Sequence, residues 1–216
     1  MKREATHFKN RVLDFLDIFI RNEPTSPLIP SLILPLVETI KAARADEGHF
    51  TQKATNIING RIANIKQTPK SLEQCDRIVQ QLHELHQLSR KAPSAAFEST
   101  LSAASIYLSK AIAQAGRPKE VVKAYGESFK DFVTRKGSRL NLSFFQTWIK
   151  RQTSVAWLAG EQIAKLCQAD NVVNEYRRMQ AFQLLQDLAS NALSLVRSTA
   201  PHNMTGASSI IGRDTG

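Results

Sequence analysis

Three residues of "CDRIVQQLHELH" (75–86), Cys75, His83 and His86, are of types that ligate metals. Thiolate and imidazole both bind zinc, and His83 and His86, three apart, can share a helix face. A closed zinc site takes about four ligands in a tetrahedron, and no second Cys or His pair lies nearby in the sequence. Cys75, Val79, Leu82 and His86 also recur at the spacing of a helix core, which is the preferred reading, and no metal site is assigned. Two-metal nucleotidyl transfer needs converging carboxylates. Asp14 and Asp17 share one helix pattern, but there is no D-x-D and no strand to carry one. A phosphate-binding G-x-x-x-x-G-K-[ST] loop and a G-x-S-x-G nucleophile elbow are also missing. The expectation is a non-catalytic segment with no cofactor.

The strongest candidate for binding is "FKDFVTRKGSRLNLSFFQTWIKRQ" (129–152). It sets Lys130, Arg135, Lys136, Arg139, Lys150 and Arg151 against the single acid Asp131. Aromatic and basic residues interleave, a pattern seen on nucleic-acid surfaces, but base-stacking aromatics must be exposed. Phe145, Trp148 and Ile149, like Phe129, Phe132 and Val133, have the 0, 3, 4 spacing of one buried helix face. That leaves the cations. Arg135, Lys136 and Arg139 fall at a helix C-terminus and the turn after it, where the dipole favours positive charge. Lys150 and Arg151 close the next helix. The two groups either converge into a phosphate-binding patch or form a plain solvated surface. Arg177 and Arg178, with Arg117, Lys119 and Lys123, extend the patch if stacked helices align them.

The elements that carry these residues read almost entirely as helix, and no segment sustains period-two alternation. Helices are expected over 6–22, with a Thr6 cap, and over 26–44, opened by Ser26 and Pro27 and kinked or restarted at Pro35. Further helices are expected over about 49–65 with Gly60 as a weak point, 71–91 from Ser71, and 94–115 between a Ser94 cap and Gly116. The rest cover 117–137 from Pro118 to Gly137, two shorter helices bent at 152–154, and a last helix over about 171–198. About nine helices joined by short turns, with wide apolar faces, predict an all-α, irregular HEAT/armadillo-like stack of helix pairs. Residues 1–197 read as one domain. The Gly/Ser/Thr-rich segment 198–216, with Ile210 and Ile211, reads as a flexible tail.

Charge is uneven. Residues 1–108 hold 14 Lys+Arg against 11 Asp+Glu, and residues 109–216 hold 15 against 8, so most of the net +10 sits in the second half. A polyanionic partner, whether RNA, DNA or an acidic protein segment, fits that bias. No apolar run approaches the roughly 18 residues of a membrane span, and the charged start "MKREATHFKNR" does not read as a signal peptide. Two isolated cysteines in helical sequence suggest a reducing compartment.

Three motifs stand out in order: H-F-x-x-R-V-L-D (His7, Phe8, Arg11, Val12, Leu13, Asp14), S-P-L…L-P-L (Ser26, Pro27, Leu28, Leu34, Pro35, Leu36) and the pattern ending at Phe132, Thr134 and Arg135. Together they resemble the C-terminal part of the fungal DNA polymerase V / Myb-binding protein 1A family. The likeness spans most of 6–197 and lies in helix-packing residues, with no catalytic signature. It implies a C-terminal fragment of a longer nucleolar protein acting in ribosomal RNA transcription and large-subunit assembly. The implied partners are pre-ribosomal RNA or rDNA, met at the phosphate backbone, and ribosome assembly factors, with no membrane and no small-molecule substrate. The alternative is a protein-interaction module that binds acidic segments without nucleic acid. DNA polymerase activity, which the family name suggests, has no motif here to support it.

Overall fold

The computed structural model describes residues 2–69 and 74–199, except the side chains of residues 2–6, 45 and 169. Helix α1 spans Lys2–Asn22 and α2 spans Ile29–Ala42. Thr6 lies inside α1 and is not its cap. Ser26 and Pro27 form the turn before α2, with the Leu28 N–H donated to Ser26 Oγ at 3.3 Å, and Pro30 takes the first helical turn. Pro35 does not break α2. It lies on the exposed side, where water can satisfy the carbonyl it leaves without a donor.

Helix α3 (Gly48–Asn56) gives way to a π turn at Ile57–Arg61 and a tight turn at Ile62–Asn64, so Gly60 marks a change of pitch rather than an ordinary helical residue. The wider turn brings Ile57 and Ile62, five apart, into the core with Ile58. The Asn64 amide donates to the Gly60 carbonyl at 3.1 Å and caps the disturbed turn.

Helix α4 is Cys75–Ser89. The expected start at Ser71 lies outside the described residues. Helix α5 is Ala95–Gln114, where Ser94 Oγ accepts the Phe97 N–H at 3.2 Å and Gly116, at φ +82°, stops the chain in a conformation open to glycine. Helix α6 (Pro118–Thr134) ends three residues before Gly137, which has no positive φ. Helix α7 (Leu142–Arg151) is capped by Asn141. The chain bends at Gln152 as expected, then breaks again at 158–159, separating α8 (Thr153–Trp157) from α9 (Gly160–Leu166). That second break makes ten α-helices among the described residues against the nine expected. Helix α10 runs Glu175–Thr199 and includes Ser198 and Thr199, assigned above to the tail. The remainder of that segment, with Ile210 and Ile211, lies outside the described residues.

The helices form two layers. One holds α1, α3, α5, α7 and α10 side by side, the other α2, α4, α6 and α9, and α8 fits between α7 and α10. The hydrogen bonds show the repeat. Side chains from distant elements bond at sequence separations of 38 to 46: Lys9 to Glu47, Arg61 to Asp17, Lys110 to Ile65, Asn141 to Glu98 and Gln152 to Ile106 among them. A longer side-chain separation among the described residues, Arg151 to Ala63 at 88, is about twice that period. Each unit therefore touches its neighbours in the chain, as in a helical-repeat stack. Most of the large exposed apolar side chains among the described residues lie on the first and last helices, Phe8 and Phe15 on α1 and Tyr176, Met179 and Phe182 on α10, with Leu28, Trp157 and Leu158 elsewhere.

An aromatic cluster lies where α4, α6 and α7 meet. Tyr125 and Trp148 stack at 4.0 Å, and His86 and Phe144 close the cluster at 4.4 Å and 5.6 Å from Tyr125. Phe129, Phe132 and Phe145 continue it. In equilibrium urea unfolding, Trp148→Ala is expected to cost about 3–5 kcal/mol. Ser94→Ala, which removes one cap, costs about 1 kcal/mol.

Candidate polyanion interface

Where α6 ends, three parts of the chain meet at one pole of the stack. The Arg139 N–H donates to the Arg90 carbonyl at 3.1 Å, which ties the α6–α7 turn to the α4–α5 turn. The Val173 N–H donates to the Val133 carbonyl at 2.8 Å and brings in the start of α10. The pole therefore collects Arg90 and Lys91, Arg135, Lys136 and Arg139, and Arg177 and Arg178. Lys130, exposed on α6, lies about 7 Å along the axis from Arg135.

These cations are not equivalent. Arg135 pairs with Asp131 at 3.5 Å, Arg178 with Glu175 at 3.1 Å, and Arg90 with Glu127 at 3.6 Å. Lys91 lines a cleft with Glu38 and Glu84. Arg177 stacks on the Phe132 ring at 4.1 Å and bonds Gln180, and burial pulls its ionisation below the usual arginine range, so it supports the packing as much as the surface. Lys130, Lys136 and Arg139 are exposed and have no ion pair among the described residues.

Lys150 and Arg151 do not join this group. Helix α7 starts at the pole and runs away from it, which sets Arg151 about 14 Å along the axis from Leu142. The two sets of cations, next to each other in the sequence motif, occupy different places. Arg151 donates to the Ala63 carbonyl at 3.1 Å. Beside it Lys110, half-buried, donates to the carbonyls of Ile65 and Lys66. Burial, and then the charge of Arg151, lowers the Lys110 pKa.

The metal-type residues of α4 separate. His86 is fully buried with Nδ1 2.8 Å from Ser128 Oγ, His83 sits 3.7 Å from Glu127, and Cys75 lies at the start of the helix. Among the described residues no three His, Cys, Asp or Glu side chains stand together as a metal site would need. Asp14 pairs with Lys53 at 2.6 Å, and Asp17 with Arg61 at 2.7 Å, so each carboxylate holds α1 to the next unit. The aromatics of the basic motif are core: Phe129, Phe132, Phe144, Phe145 and Trp148 are at most 2% exposed.

Two features escaped the sequence reading. Arg90–Lys91 repeats the Arg135–Lys136 pair at the equivalent turn of the previous unit, a signal legible as an R-K dipeptide recurring 45 residues on. Lys66 and Lys110 carry no such mark.

Two layers of helices with a spacing near 40 residues, and an edge formed by their turns, define a helical-repeat domain, an architecture that presents surfaces to protein partners. The chain belongs to the family described as Myb-binding protein 1A-like, TPR repeats, whose model matches residues 23–211. That match is to a repeat family and not to a catalytic one. No curated protein and no solved structure matches the chain. Among the described residues no helix is long and apolar enough to cross a membrane.

His86 generates a pH prediction. Burial, then the charges of Arg90 and His83, depress its pKa to about 3. The folded imidazole stays neutral while the unfolded one gains a proton below about pH 6.5, so stability falls as pH drops from about 6.5 towards 3, by at most about 1.4 kcal/mol per unit. Urea unfolding at pH 7 and 5 should show a His86-dependent loss of about 2 kcal/mol that disappears in His86→Gln.

Proposed function

We propose that the domain is a non-catalytic scaffold of nucleolar ribosome biogenesis that holds pre-ribosomal RNA at its basic pole while other surfaces of the stack take assembly factors. The observation that carries this reading is the trio of unpaired exposed cations, Lys130, Lys136 and Arg139, at a pole where two helix turns are hydrogen-bonded together. A joined pair of turns holds its charges at fixed spacing, which suits a phosphate backbone. Because the aromatics beneath are buried, recognition runs through phosphates with little base preference. The family match supports the protein-binding half of the reading. The nucleolar setting rests on the resemblance to the Myb-binding protein 1A family.

A second reading keeps the same pole and replaces RNA with an acidic protein segment. The two separate in competition between single-stranded RNA and a poly-glutamate peptide, with RNA expected to displace the peptide at equal charge.

Affinity for single-stranded RNA, measured from low to high salt, should fall steeply in the wild type. In Arg135→Glu/Lys136→Glu/Arg139→Glu the binding should weaken, and the slope of log K against log salt should decrease by about 2. An unchanged affinity and slope in the triple variant would rule out the pole as the RNA contact.

A further inference from the structure

The end of α7 faces a second concentration of positive charge, away from the pole. Two adjoining clefts, of about 340 and 520 Å³, share Lys110, Arg151 and Gln152 as a common wall. Lys66 lines the first and Lys150 the second, and among the described residues neither is lined by Asp or Glu. Four cations thus surround one place with no described carboxylate in its walls.

Packing explains part of this arrangement. Lys110 and Arg151 satisfy the Ala63, Ile65 and Lys66 carbonyls where the turn after α3 ends. Those acceptors are neutral, however, so the full charges remain unbalanced. Arg151 has further guanidinium N–H donors beyond the one that reaches Ala63. Tyr107, 2% exposed, lines the first cleft, and its hydroxyl has no partner among the described residues. That hydroxyl, on the side of the converging cations, is a donor that an anion can use.

We propose that this double cleft is a binding site for a dianionic phosphate group, seated between Lys110 and Arg151, with Lys66 and Lys150 at the two mouths and the Tyr107 hydroxyl as an additional donor. The ligand class is a phosphate monoester or diphosphate, whose charge density suits four cations better than a single phosphodiester does. The site stands apart from the polar turns and does not rest on the RNA reading.

Calorimetric titration of the whole chain with pyrophosphate, at constant ionic strength, tests it. Saturable one-to-one binding is expected, weakened about tenfold by Lys110→Met and by Arg151→Gln, which each remove a charge-assisted bond. The exposed Lys150→Gln should weaken it to a smaller extent without disturbing the fold, which keeps the test valid if Lys110→Met or Arg151→Gln unfolds. Arg135→Glu/Lys136→Glu/Arg139→Glu should leave pyrophosphate affinity unchanged even where it abolishes RNA binding. The proposal is overturned by an absence of saturable binding, by equal affinity in wild type and all cleft variants, or by equal weakening in the pole variant.

Discussion

Helix α5 is enclosed on every side, and most of the other helices take their places from it. It contacts α2, α4, α6, α7 and the turns that follow α3, and its buried residues occupy the whole circumference: Leu101, Ala104, Leu108 and Ile112 along with Thr100, Ser102, Ser105 and Ser109. A helix enclosed in this way cannot be amphipathic. The solution is small side chains. Alanine and serine let neighbouring backbones come close, and the hydroxyl of Thr100 donates back to the Ala96 carbonyl while accepting from the Asn59 amide. The same constraint fixes the partners. The large side chains sit instead between α6 and α7, in the aromatic cluster of Tyr125, Phe129, Phe132, Phe144 and Trp148, with His86 of α4 at its edge.

The repeat spacing follows from that geometry. A unit must supply one helix to each layer plus two turns, and the hydrogen-bonded separations of 38 to 46 residues measure that length. Tetratricopeptide units are about 34 residues and HEAT or armadillo units about 40–47. The family is described by the former name, while the spacing here falls near the latter. Lengthening has a visible source in the π turn and tight turn that extend α3 and in the double break that separates α8 from α9.

Charge in such a stack is sorted by where helices end. Turns at one edge bring Arg90–Lys91 and Arg135–Lys136 together although they are far apart in the chain. A helix of ten residues is enough to part Arg139 from Arg151, which the sequence holds close. Some cations serve the fold first. Arg177 covers Phe132, and Arg117 bonds Asp76 in the preceding unit. Surface charge in a repeat protein therefore has to be counted after these structural pairs are removed, and that leaves a short list at the pole and another in the cleft.

The local pattern was largely legible. The 3.6-residue spacing marked the helices, Ser94, Pro118 and Gly116 marked ends that the structure keeps, and the 0, 3, 4 spacing of Phe145, Trp148 and Ile149 identified them as core before any contact was known. These are properties of a few consecutive residues, and backbone sterics decide them locally. Ser26 and Gly137 misled for the same reason, since each is a good terminator whose neighbours kept or ended the helix elsewhere. Which cations share a surface was not legible. The distance between Lys66, Lys110 and Arg151 is set by how three helices stack, and stacking depends on side chains separated by one or two repeats. The sequence by itself determined an all-α chain with a basic second half and a buried aromatic set. Only the tertiary structure decided that its positive charge forms two places and not one, because helix length and layer order, not sequence proximity, set where each turn and each helix end comes to rest.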